Sequence, residues 1–124
     1  ILCTGKVHFD LDAERARRGA TRTALIRLEQ LYPFPETLLA EAIARHPNAR
    51  EIVWVQEEPG NMGALAFVVP RLGRVAGGRP VRTIKRSASA SPATSSPKAH
   101  GLEQAALLAH AFLDVSATSR AAAR

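Results

Sequence analysis

Cysteine occurs once among the 124 residues, at Cys3, so no internal disulfide can staple the chain and its order must come from a packed core. A single cysteine also agrees with a reducing, cytoplasmic setting. Aromatic residues make up only 5%, with Trp54 and Tyr32 the sole residues of their kinds. Basic residues interleaved with aromatic platforms are therefore missing, and nucleic acid is not an expected partner. No uninterrupted apolar run approaches the ~18 residues that cross a bilayer, so no membrane segment is expected. The amino end also lacks the charged start and cleavage site of a signal peptide. Acidic residues are the scarcer charge: 11 Asp and Glu against 17 Lys and Arg leave +6, which makes anions the expected partners. His8, His46, His100 and His110 share no short spacing with one another or with Cys3, so no metal site is expected.

What is present suits one globular domain with a real core. Its centre is the stretch from Leu25 to Met62. Thr23 to Leu28 is short and apolar, as for a strand covered on both faces. Pro33 and Pro35 stop it, and Pro35 suits the first position of a helix. Leu38, Leu39, Ala42, Ile43 and His46 then share one helical face, and Pro47 ends it. A second strand, Glu51 to Gln56, runs into Glu57, Glu58 and Pro59-Gly60-Asn61. Two strands joined through a helix form a βαβ unit, with both carboxyl ends at one edge.

Around this unit the same alternation continues. Ile1 to Thr4 reads as a short strand with Gly5 permitting a tight exit. A helix follows from Val7, with Asp10 and Asp12 early, Arg15, Arg17 and Arg18 late, and Gly19 as its stop. Asn61 to Val75 reads as a packed helix capped by Asn61, with Pro70 as an interruption. Val81 to Lys85 is a last strand. Ser96-Pro97 opens a closing helix with Leu102, Ala106, Ala109 and Leu113 on one side and Ala105, Leu108 and Phe112 alongside. The expected fold is thus α/β, a three-layer sandwich with a mainly parallel sheet. Residues 1–113 form its domain and 114–124, without an apolar stripe, a flexible tail. Because Ile1 opens inside a strand, the chain is expected to be a piece of a longer protein.

Two phrases carry a family resemblance: Arg27-Leu28-Glu29-Gln30-Leu31-Tyr32-Pro33-Phe34-Pro35, and Trp54-Val55-Gln56-Glu57-Glu58-Pro59 through Asn61 and Gly63. They resemble the carboxy-terminal domain of the thiamine diphosphate-dependent first component of 2-oxoglutarate dehydrogenase. The strand-Thr-Gly-Lys opening, the run from Arg86 to Pro92 and the segment Lys98 to Gln104 are similar as well. The segment after Asn61-x-Gly63 departs from the family, which carries more aromatic and charged residues there. The resemblance implies a transketolase carboxy-terminal fold in a homodimer. That dimer decarboxylates 2-oxoglutarate on thiamine diphosphate and magnesium and passes the succinyl group to the dihydrolipoyl succinyltransferase component. This chain lacks a Gly-Asp-Gly followed by Asn for magnesium diphosphate, a Walker loop, a dinucleotide fingerprint and a nucleophile elbow, so no catalytic residue is expected in it.

Glu57 and Glu58 invite an acid–base reading, because paired carboxylates separate their pKa values when one is buried. The structural reading is preferred: with Gln56 and Asn61 they hold a turn, a helix start or an interface. Lys6, Arg86 and Ser87 fall at or just after strand carboxyl ends, where open α/β sheets receive ligands. The resemblance implies an acetyl-coenzyme A or adenine nucleotide effector there. Solvated charge and a serine turn form the plainer alternative. A stand-alone nucleotide or acyl-coenzyme A module without catalysis is the rival function.

Overall fold

The computed structural model describes residues 1–92 and 96–113. Strands and helices alternate through it: β1 (Leu2–Cys3), α1 (Val7–Arg18), β2 (Ile26–Arg27), α2 (Glu36–Ala44), β3 (Ile52–Pro59), α3 (Leu65–Val75), β4 (Val81–Arg86) and α4 (Pro97–Ala111). All pairings are parallel, in the order β2-β1-β3-β4. The α/β sandwich with a parallel sheet is therefore present as expected.

Side-chain alternation along β3 divides the core in two. Ile52 and Trp54 join Leu2, Leu39, Ile43, Val68 and Leu72 on the face covered by α2 and α3. Val53 and Val55 join Cys3, Val7, Leu11, Leu107 and Ala111 under α1 and α4. The crossover rule explains the split. The chain moves outward from β1 to β2, then back across the sheet to β3 and β4, and right-handed connections place helices on opposite faces when direction reverses. Burial pushes the Cys3 thiol up to about 11, so it stays protonated and inert at neutral pH.

Local details differ from the sequence expectations in physically clear ways. Only Ile26 and Arg27 pair in β2, which is an edge strand with one neighbour rather than a strand covered throughout. Thr4 Oγ1 ties its exit by donating to the Leu28 carbonyl at 2.7 Å. In α2 only Leu39 and Ile43 are buried; Leu38 is 69% exposed and His46 lies beyond the helix in solvent. Pro35 caps α2 instead of opening it. The helix α3 starts at Leu65, not Asn61, and continues through Pro70 because that residue lies on the exposed side, where water can satisfy the interrupted turn. Its buried residues are Val68 and Leu72, one turn apart. In α4, Ser96 caps as expected, its Oγ accepting from Ala99 N at 3.4 Å. The buried face of α4 is Leu107 and Ala111, while Leu102 and Leu113 are exposed. Residues 93–95 of the Ser/Ala run and the expected tail at 114–124 lie outside the described residues.

Candidate functional site

Strands β1 and β3 are neighbours whose connections leave in opposite directions, β1 toward β2 and β3 toward β4. In open α/β sheets such a reversal marks the usual ligand position, a crevice outside the carboxyl ends of the two strands. Gly5, at φ +73, turns the chain out of β1 and sets Lys6 at the start of α1 on one lip. Glu57, late in β3, supplies the other. Lys6 Nζ and Glu57 Oε1 meet at 2.8 Å across it. Gln104 of α4 donates from Nε2 to the same carboxylate oxygen at 3.1 Å and to Asp10 Oδ2 at 2.8 Å. The bond to Glu57, more than its charge, raises the pKa of Lys6 above the ordinary lysine range. With Lys6 70% exposed, the pair adds little stability.

Arg86 ends β4 beside this cluster, close enough for its charge to act on Lys6. Its side chain is only 10% exposed. One terminal nitrogen lies 3.0 Å from His100 Nδ1, the other 3.5 Å from Glu103 Oε2, and Nε is buried without a hydrogen-bond partner. Ser87 follows on the exposed exit. The three proposed effector residues thus lie at the carboxyl edge, with both cations facing carboxylates. An anion entering here must share or displace Glu57 and Glu103.

The Gln56 to Gly63 phrase builds the turn behind the crevice. Gln56 is 2% exposed. Its Nε2 lies 3.3 Å from the Glu58 carbonyl, 3.3 Å from that of Pro59 and 2.8 Å from that of Met62, while Oε1 accepts from Trp54 Nε1 at 3.1 Å. Gly63 adopts φ +68, and a Cβ there would lie 3.0 Å from Glu58 Cβ and 3.1 Å from Gln56 Nε2. Position 63 therefore needs glycine for both conformation and space. Asn61 does not cap α3. Its Nδ2 donates to the Ser89 carbonyl at 2.9 Å and its Oδ1 accepts from Ser89 N at 3.1 Å, pinning the loop after β4.

Glu57 and Glu58 do not converge. Successive strand residues face opposite ways: Glu57 reaches α1 and α4, and Glu58 lies beside Gly63. Shared-proton chemistry between them has no geometry here. Among the described residues no group of three or more His, Cys, Asp or Glu side chains could hold a metal ion.

Asp10, His100, Glu103 and Gln104 belong to the cluster, although the sequence suggested Asp10 only as a helix-start charge, His100 only as a rejected metal ligand, and Glu103 and Gln104 only within a family-like segment. The available signal was position: in alternating α/β chains helices begin at the carboxyl edge, and His100 and Gln104 are one turn apart near the start of α4.

Residues 1–112 match the family model described as 2-oxoglutarate dehydrogenase C-terminal. The chain belongs to that family. Members similar to it are named 2-oxoglutarate dehydrogenase E1 component: one from Cupriavidus necator is 47% identical over 113 residues. One from an Exiguobacterium species is 44% identical over 115 residues, and one from Brucella anthropi 46% over 117. Each alignment covers 90% of this chain. The chain spans only 12% of the length of these relatives, so it corresponds to one part of a 2-oxoglutarate dehydrogenase component.

Proposed function

We propose that residues 1–113 serve as the carboxy-terminal supporting domain of the decarboxylating component of a cytoplasmic 2-oxoglutarate dehydrogenase complex in the tricarboxylic acid cycle. The observation that carries this reading is the family match over residues 1–112. In this reading thiamine diphosphate and magnesium are held by other parts of a homodimer, which transfers the succinyl group to the dihydrolipoyl succinyltransferase component. The share of this domain is packing: a rigid parallel sheet and a tied Gln56–Gly63 turn that present a fixed surface to neighbouring chain. The test is deletion. A full-length enzyme lacking residues 1–113 is expected to lose dimerisation or 2-oxoglutarate decarboxylation, read by sedimentation and by turnover. Full activity of the deleted enzyme would refute the proposal.

A second reading concerns Lys6, Arg86 and Ser87. Two cations and a hydroxyl at a topological switch point suit a phosphate group, and an acetyl-coenzyme A or adenine nucleotide effector is proposed there. Calorimetric titration of the full-length dimer with acetyl-coenzyme A is expected to give saturable binding that Arg86→Met weakens at least about tenfold, as loss of a buried charged donor predicts. Absence of binding by the unaltered dimer rejects an acyl-coenzyme A effector.

A further inference from the structure

We propose that the amino edge of the sheet is a docking surface for a carboxylate-bearing segment of the same polypeptide, one lying outside residues 1–124. The inference rests on the reading of this chain as one domain of a longer component. Because the four strands pair in parallel, their amino ends share one edge, opposite the Lys6–Arg86 cluster. A cavity of about 620 Å³ opens there. Ala24, Val53, Pro80 and Phe112 give it apolar walls, and Arg22 and Arg50 also line it. Both arginines are exposed, Arg22 in the approach to β2 and Arg50 in the approach to β3.

The charges at this edge do not balance. Among the described residues Glu51 is the one carboxylate lining the cavity, and Arg82 occupies it: Nε and Nη2 donate to its two oxygens at 3.1 and 2.9 Å. Arg82 also donates to the His110 and Leu113 carbonyls, each at 3.1 Å, which offsets the partial negative charge at the end of α4. Arg22 and Arg50 have no carboxylate partner among the described residues. The rim is fixed in advance, since Arg79 Nε donates to the Ala49 carbonyl at 2.8 Å and ties the approach to β3 to the approach to β4.

Charge and length together select the occupant. Apolar walls beside two free guanidiniums suit an apolar side chain next to a carboxylate, which a guanidinium can grip through two parallel hydrogen bonds. The chain spans 12% of the length of its relatives, so most of a component of that size is tethered to this domain. Tethering on a short linker gives a segment an effective concentration of about millimolar, ahead of a dilute free partner.

Carbodiimide coupling in the full-length component tests the inference, because it joins an amine to a carboxylate only where the two touch. Arg22→Lys and Arg50→Lys keep the charge and supply the amine. Mass spectrometry after digestion is expected to find position 22 or 50 joined to an Asp or Glu of the same polypeptide outside residues 1–124. Dimers mixed from light and heavy nitrogen separate coupling within one polypeptide from coupling between copies. In the double variant Arg22→Gln, Arg50→Gln, amide exchange in the coupled segment should rise at least about tenfold, with circular dichroism unchanged. Coupling confined to residues 1–124, coupling only between copies or to the succinyltransferase component, or no coupling at either position overturns the inference. So does unchanged exchange in the double variant. Each of these outcomes leaves the domain reading in place; that reading fails separately, by full activity of the enzyme lacking residues 1–113.

Discussion

Trp54→Ala is expected to lower the unfolding free energy by about 3–5 kcal/mol, in the range for emptying a large aromatic site in a core. Trp54 is fully buried in the middle of β3, the strand that touches both β1 and β4, and it lies among residues from α2 and α3. Removing the ring strips contacts from several elements at once and leaves Gln56 Oε1 without its donor. Domains of this size have only about 5–15 kcal/mol to lose. Urea unfolding followed by far-ultraviolet circular dichroism measures the loss, because the variant lacks the sole tryptophan reporter. Trp54→Phe separates the contributions: it keeps most of the volume, loses the N–H, and should cost about 1–2 kcal/mol. A Trp54→Ala cost below about 1 kcal/mol would contradict the packing described here.

Gln56→Leu is expected to cost about 2–4 kcal/mol despite similar size and greater hydrophobicity, because the price is paid in unsatisfied polar groups. The carboxamide faces three carbonyls through Nε2 and the indole N–H through Oε1. Leucine leaves that constellation without its central partner. Gln56→Glu is the sharper control, since it preserves shape while replacing the donor with a charged acceptor aimed at three acceptors. It should be at least as destabilising as leucine at neutral pH. Trp54 fluorescence reports both unfolding transitions. If leucine were neutral and glutamate tolerated, water rather than Gln56 would be holding the turn. The same turn carries Asn61 and the Ser89 contact, so both variants should loosen the loop beside Arg86 as well.

The sequence made the alternation and the family phrases legible because both are local. Strand β3 opens on the apolar run Ile52–Val55 and closes at Pro59 before Gly60, and Gly5, Gly19 and Ser96-Pro97 mark their boundaries by backbone chemistry. The helix faces were less legible. Leu38 and Leu102 share their helices with other apolar residues, and α4 is so rich in alanine that several stripes fit it equally well; tertiary packing selected Leu107 and Ala111. Asn61 has a cap's composition and a cap's position, yet its amide is spent on a residue 28 positions away. No pattern of neighbours predicts such a contact. For the site, Lys6 and Arg86 were readable from strand ends, whereas their occupation by Glu57, Glu103 and His100 required the folded sheet.

The layer formed by α1 and α4 joins residues from opposite ends of the described chain. During synthesis, Cys3, Val53 and Val55 can all be in place while Leu107 and Ala111 have yet to leave the ribosome. Until residues 97–111 emerge, the nascent chain carries a half-roofed apolar surface over Cys3, Val53 and Val55.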